Sequence, residues 1–277
     1  MYGYANDTTP NLAAFAKDSV VFENAFTPEP WTPSAHMTML TGLYPKNHGL
    51  TANINARDAV ETLPEALHHA GYATAGYAGM KWWFMPWRGF GRGFDDYSVP
   101  EGDRDVFETA RLGLAFLDAH AGKKAFLFLH TYDLHSHANG ALPYGTGDPA
   151  YSRFSKALGA APAFARDGAK LKGPTAFLGA ANRGGVAITP EENRYMQALY
   201  DDGLTRVDAG LGAFLGELRK RGLYDRALIV VTADHGEAFG EHGRYMHGDI
   251  YEANVHVPLI VHFPGGAHGG ERLKGMA

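Results

Sequence analysis

Residues 227–236 read Ala-Leu-Ile-Val-Val-Thr-Ala-Asp-His-Gly, ALIVVTADHG. The run opens with apolar residues that show no polar alternation, as expected for a strand covered on both faces of a parallel sheet. It then delivers a carboxylate and an imidazole side by side, Asp234 and His235, followed by Gly236, which permits a tight turn. In open α/β sheets ligands bind outside the carboxyl ends of the strands. The residues to inspect are therefore Thr232, Asp234, His235, Glu237, His242 and His247. A second continuous run, Ala125–Leu129 (AFLFL), is followed by His130, Asp133, His135 and His137. Two strands thus aim His/Asp clusters at one sheet edge. Oxygen and nitrogen donors together suit zinc or manganese, and carboxylate-rich company suits calcium or magnesium. A helix-capping Asp beside a surface His accounts for the same pair.

The pattern outward from these runs alternates helix and strand. Val20-Val21-Phe22, Tyr72–Tyr77 and Pro258–Val261 read as further strands. Thr8-Thr9-Pro10-Asn11 reads as a hydroxyl-capped helix start with Pro in the first turn. Leu63–Ala70, Phe107–Ala119 and Pro190–Arg221 read as helices; in the last, Tyr195, Leu199, Val207, Leu211, Phe214 and Leu218 fall near one stripe. This order predicts an α/β fold, a mostly parallel central sheet flanked by helices, in one domain over residues 1–277. Residues 139–189 are rich in Gly, Ala and Pro and lack a long apolar period. They read as an insertion over the sheet edge.

Composition sets limits. The chain has 277 residues, 45% hydrophobic and 20% charged, with a net charge of −5. That is ordinary globular composition, and without a basic excess no nucleic-acid partner is implied. Cysteine is absent, which removes disulfides, thiolate nucleophiles and thiolate metal sites. No apolar run is long enough for a transmembrane helix. Fourteen histidines stand out, because imidazole is the commonest metal ligand and the usual neutral-pH proton carrier.

A second stretch matters, residues 29–45, EPWTPSAHMTMLTGLYP. Ser34–Leu40 reads as a helix stopped by Gly42. A hydroxyl at its mouth, Thr32, lies in the field of a helix N-terminus, which favours an anion. Thr32 or Ser34 as a plain N-cap is the simpler account of these residues alone.

Taken together, the two stretches resemble the sulfatases of the alkaline phosphatase superfamily. EPWTPSAHMTMLTGLYP resembles their active-site segment and VVTADHGEAFGEHG (residues 230–243) their metal-binding segment. DTTPNLAAFAKDSVVFENAF, TLPEALHHAGYATAGYAG, FLFLHTYDLHSH, YDDGLTRVDAGLGAFLGELRKRGLYD and YEANVHVPLIVHFPG follow in family order, over nearly the whole chain except the insertion. The resemblance implies a hydrolase of sulfate esters, with a divalent ion (Ca, Mn or Zn) at the strand ends. It places Thr32 at the nucleophile position and beside the metal, and His36 where most sulfatases have arginine. Asp234 and His235 match a metal-ligand pair. His135 matches a substrate-side histidine, and His247 falls near a residue facing the transferred or leaving group. A second ion held by Asp133 and His137 with His247 is an alternative to His135 as a substrate contact and His137 as a surface residue. Small-molecule or glycan sulfate or phosphate esters are the implied partners. Family members are commonly periplasmic or secreted, with any signal peptide lying ahead of Met1.

Three departures qualify this. Sulfatases carry Cys or Ser at the nucleophile position, oxidised to formylglycine, and threonine cannot give that aldehyde. Threonine nucleophiles belong to phosphodiesterase and phosphotransferase branches of the superfamily, so phosphodiester or phosphonate ester chemistry is the alternative. His36 lacks the fixed, bidentate charge of arginine. The family's first strand, ending in acidic metal ligands, would precede Met1-Tyr2-Gly3-Tyr4. The expectation is a chain lacking that strand, with a half-built metal site, whose end at Gly270–Ala277 also stops before the family's smaller terminal subdomain; a non-catalytic sulfatase-like binding domain is the third reading.

Overall fold

The computed structural model describes residues 2–51, 54–136, 142–162 and 173–277. Its apolar runs form strands β1 (Val20–Phe26), β2 (Ala73–Tyr77), β3 (Asp96–Ser98), β4 (Ala125–Leu129), β5 (Ile229–Thr232), β6 (Ala238–Phe239), β7 (Tyr245–Met246), β8 (His256–His262) and β9 (Arg272–Met276). One sheet has the order β3-β2-β4 and another β5-β8-β1-β9, while β6 and β7 pair as a hairpin. β2 runs parallel to both its neighbours, with Tyr77 opposite Leu129 at the carboxyl ends. β1 and β9 are also parallel. β8 runs antiparallel to β1 and β5, so the four-stranded sheet is mixed. The fold is α/β, as the alternation of elements implies.

β5 differs from a strand covered on both faces: its residues alternate between half-buried and exposed, and Val230 is 52% exposed. Among the described residues it pairs only with β8. A continuous apolar run reports hydrophobicity but not which neighbours cover it.

The helices lie where the punctuation puts them. Helix Thr32–Thr41 ends at Gly42 in the left-handed region, φ 67°, a conformation that costs glycine nothing. Its N-cap is Trp31, so Thr32 opens the first turn and makes no side-chain cap. The helix Pro10–Phe15 begins at its proline as expected, but the Thr9 hydroxyl forms no cap bond. Asp208, from the long helix, accepts the backbone N–H groups of Asn11 and Leu12 instead. That carboxylate satisfies orphan first-turn donors from outside the helix.

Helix Pro190–Lys220 begins with a capping box, Thr189 and Glu192 each bonding the other's backbone. Its C-terminal half joins a core of Phe15, Val21, Leu215, Leu218, Tyr224 and Ile260, which ties it to β1 and β8. Fully burying a side chain such as Ile260 stabilises by about 1.5–3 kcal/mol. Its N-terminal half packs Tyr195, Met196 and Leu199 against Tyr144, Phe177 and Leu178. The last three lie within residues 139–189, so the described part of that segment carries core contacts as well as loop. Asp202 also accepts the Phe154 and Ser155 amides, fixing helix Arg153–Leu158. No described helix is long and apolar enough to cross a membrane.

Candidate active site

Helix Thr32–Thr41 links the carboxyl ends of the two sheets. The His36 ring meets the His130 ring at 4.9 Å and Phe128 at 5.8 Å, both from the β4 end. Its Nδ1 lies 3.5 Å from Asp234 Oδ2, at the β5 end. The structure therefore brings Thr32, His36, His130, Asp234 and His235 together.

Thr32 is buried, 3% exposed. Its Oγ1 lies 3.2 Å from His235 Nε2. The other ring nitrogen of His235, Nδ1, is 2.9 Å from the Gly236 carbonyl oxygen, which only an N–H can satisfy. This assigns the proton to Nδ1 and leaves the Nε2 lone pair facing the Thr32 hydroxyl. Gly236 is required for a reason other than turn geometry. A Cβ there would collide with the carbonyl oxygen of Ala253, and the Gly236 amide itself donates to Asn254 O at 2.7 Å.

Asp234 Oδ2 is 3.4 Å from His235 Nε2. Burial alone would push its carboxyl up, but the imidazoles of His235, His36 and His130, with the Thr32 hydroxyl, hold it well below the usual carboxylate range. It is an anion at neutral pH. His36 is the opposite case: burial lowers its pKa, and Asp234 and the Thr32 carbonyl only partly offset that. Its Nδ1–H donates to Thr32 O at 2.8 Å, clamping the first turn of the helix. Burial and the neighbouring His36 bring the pKa of His130 down to about 3. The Gly79 amide donates to its Nδ1 at 3.2 Å, consistent with a neutral ring.

These two histidines set an acid limit on stability. A histidine whose folded pKa lies below its unfolded value takes up its proton first in the unfolded chain, so stability falls as pH drops below about 6.5. Between pH 7.5 and 5 the loss from His130 is about 1–2 kcal/mol, reduced for the partial exposure of its ring. Urea unfolding of metal-free protein at both pH values measures it, and His130→Gln, which keeps an acceptor for the Gly79 amide, is expected to flatten the pH dependence by that amount.

His247 follows β7. Its ring stacks on His235 at 3.9 Å and meets His135 edge-on at 5.2 Å. Burial lowers the pKa of His247, but the Glu237 carboxylate more than reverses this and raises it. His135 itself stacks on Tyr132, with centroids 4.3 Å apart. Thr32, His36, Asp234, His235, His247 and His135 thus lie in one continuous chain of side-chain contacts. Glu237 and His130 were visible beside the motifs but had been given no role. The second-ion alternative is not supported at Asp133: its carboxylate is paired with Arg206 and accepts from Thr131. His137 lies outside the described residues. His242 is exposed and stacks on Tyr251. Trp82 is exposed, while Trp83 packs on Trp31 at 5.6 Å.

Two donor sets could take a cation. Asp234 Oδ2, His235 Nε2 and Thr32 Oγ1 supply a buried anion, a bare imidazole nitrogen and a hydroxyl, a mixed oxygen–nitrogen set that fits a divalent ion. His235, Glu237 and His247 also offer ligand atoms within 4.8 Å of one another. Both oxygens of Glu237, however, already accept hydrogen bonds, from Tyr144 and His247.

A sulfatase family model matches residues 1–274, and the chain belongs to the sulfatase family. Human N-sulphoglucosamine sulphohydrolase is 27% identical over 275 residues, which is 95% of this chain and 52% of that protein. Among solved structures, the phosphonate monoester hydrolase of Agrobacterium radiobacter aligns with a TM-score of 0.73 at 22% identity, over 98% of this chain and 66% of that one. A structure in complex with its substrate D-glucosamine-2-N,6-O-disulfate aligns with a TM-score of 0.70 at 19% identity, over 100% of this chain and 71% of that one. At these identities the structural likeness is one of fold. The chain spans about half the length of the human relative.

Proposed function

We propose that this chain is a hydrolase that removes sulfate groups, with Thr32 as the attacking group. The observation that carries the reading is the Thr32 Oγ1 to His235 Nε2 approach of 3.2 Å at the first turn of a helix, in a chain of the sulfatase family. His235 Nε2 is placed to receive the hydroxyl proton. Thr32 Oγ1 forms a bond to sulfur as the bond from sulfur to the leaving oxygen, or to the leaving nitrogen of an N-sulfated sugar, breaks. His247, on the far face of His235, protonates the leaving atom from the Nε2–H of its imidazolium form, while Glu237 holds its Nδ1–H. Water then releases sulfate and restores the hydroxyl. His36 and His135 line the site, His36 holding the Thr32 carbonyl. Asp234, His235 and Thr32 are the residues that would hold a divalent ion. Such an ion supplies positive charge for the oxygens of the transferred group. If it occupies His235 Nε2, that lone pair is no longer free to take the Thr32 proton. The relatives support a sulfated amino sugar as substrate, since N-sulphoglucosamine and glucosamine disulfate appear in their names.

A second reading has its own observation. Thr32 cannot become formylglycine, and an unmodified hydroxyl nucleophile suits phosphodiester or phosphonate esters. The two are separated by assaying sulfate release from N-sulfated glucosamine and 4-nitrophenyl sulfate against bis(4-nitrophenyl) phosphate, with Ca, Mn or Zn. Sulfate release supports the first reading. Turnover of the phosphate diester alone supports the second. No turnover with metal bound overturns both in favour of a binding domain.

A further inference from the structure

We propose that Glu237 and Tyr144 are positioning residues for His247, and that Tyr144, from the described part of segment 139–189, thereby supports the reactive centre. This rests on the reading of His247 as a working member of the site. The hairpin of β6 and β7 pairs Ala238 with Met246, so the residue before β6 and the residue after β7, Glu237 and His247, meet. Glu237 Oε2 accepts the His247 Nδ1–H at 2.8 Å. Its other oxygen, Oε1, accepts the Tyr144 hydroxyl at 2.6 Å. With both oxygens committed, the carboxylate has one orientation, and it fixes the His247 ring with Nε2 as the nitrogen left for chemistry. A carboxylate that ties one nitrogen of an imidazole selects its tautomer and prevents the ring from flipping.

Tyr144 is itself held from several sides. It is 2% exposed, and its ring packs against Phe239 at 5.1 Å and Tyr200 at 5.7 Å. Its backbone sits in the left-handed region at φ 63°, and its amide donates to Ser136 O at 3.3 Å. Met246, just before His247, is also left-handed at φ 66°, with its carbonyl accepting from Asn254 Nδ2 at 3.1 Å. Side chains larger than glycine adopt this region at a cost and keep it where surrounding contacts demand it. Two such residues flank one carboxylate–imidazole contact. The same contact also makes Glu237 a poor metal ligand, since ligation would break one of these two bonds.

The test uses Tyr144→Phe and Glu237→Gln in the otherwise unchanged protein, each alone and combined with His247→Ala. Turnover of 4-nitrophenyl sulfate is measured together with the side-chain nitrogen and carbon NMR signals of His247. Tyr144→Phe keeps the ring packing, so it decides the question if Glu237→Gln does not fold. We expect each single variant to lower kcat by about 10–100-fold, with the larger fall at Glu237 and little change in KM. Neither is expected to lower activity further once His247 is alanine, because residues acting as a unit are not additive. At a pH where the ring is neutral, the His247 signals are expected to move from one tautomer, protonated at Nδ1, to a mixture. An equal kcat loss with and without His247, or an unmoved His247 spectrum, overturns the proposal. The spectrum needs no turnover, so a protein inactive on sulfate esters sinks the hydrolase reading and still leaves the positioning role to be judged. An active protein with unmoved signals sinks the positioning role alone.

Discussion

Thr32→Ala is expected to lower turnover of the preferred ester by about 10³-fold or more, the scale seen when a nucleophile is removed and only binding and electrostatic stabilisation remain. The fold should survive. Thr32 opens helix Thr32–Thr41 without capping it, because Trp31 holds the N-cap position with extended backbone, φ −146°. The hydroxyl bonds His235 Nε2 and also supports the Asp234 carboxylate. Alanine therefore costs about 1–2 kcal/mol for these contacts, far less than the catalytic loss. Thr32→Ser retains the hydroxyl and should retain activity within about tenfold, since only the methyl that restricts χ1 is lost. Kinetics on the three proteins, with melting temperatures as the control for folding, give the result. If Thr32→Ala kept parental turnover while Thr32→Ser gained nothing, Thr32 would be no more than a helix-start residue and the attacking group would lie elsewhere.

The parts of this centre that were readable in the sequence are those carried by short, ordered stretches. Ala125–Leu129 kept its bounds as β4, since five apolar residues between Lys124 and His130 leave little room for another reading. Gly42 stopped its helix because its φ of 67° suits glycine above all. Asp234 and His235 came off β5 together as neighbours in the chain. Other features depend on contacts that no local pattern encodes. The open face of β5 is set by which strand lies beside it. The cap of helix Pro10–Phe15 comes from Asp208, some 196 residues away, so the nearby threonines misled. Tyr144 reaches Glu237 across 93 positions, from a segment whose short helices bury residues against another helix and so show no long period of their own. Glu237 could have been singled out: it lies two residues after His235, but its partner His247 is 10 positions further on and only the β6–β7 register joins them.

Asp234→Asn is expected to remove most divalent-ion affinity, by about 100-fold or more, near 3 kcal/mol, with turnover falling in parallel if the ion serves the reaction. Asparagine has almost the same shape, so the comparison isolates charge. In the described structure Asp234 is the anion of the set it forms with Thr32, His36, His130 and His235, and a cation without it would face only neutral donors. Isothermal titration with Mn²⁺ or Ca²⁺ gives the affinity, and unchanged binding would show that the ion, if any, sits elsewhere. The metal-free protein offers an independent check. The folded pKa of Asp234 is depressed, so its contribution to stability is present above the unfolded carboxylate value of about 3.9 and is lost as pH falls through the lower folded value. Asp234→Asn should therefore be less stable than the parent at pH 7. The gap should close in strong acid, where both carry an uncharged group. That window lies below the one set by His36 and His130, which begins near pH 6.5, so the two effects separate along the pH axis. A gap that failed to close in acid would mean that Asp234 acts through packing and not through charge, and the neutral imidazoles around it would then give no reason to place a cation there.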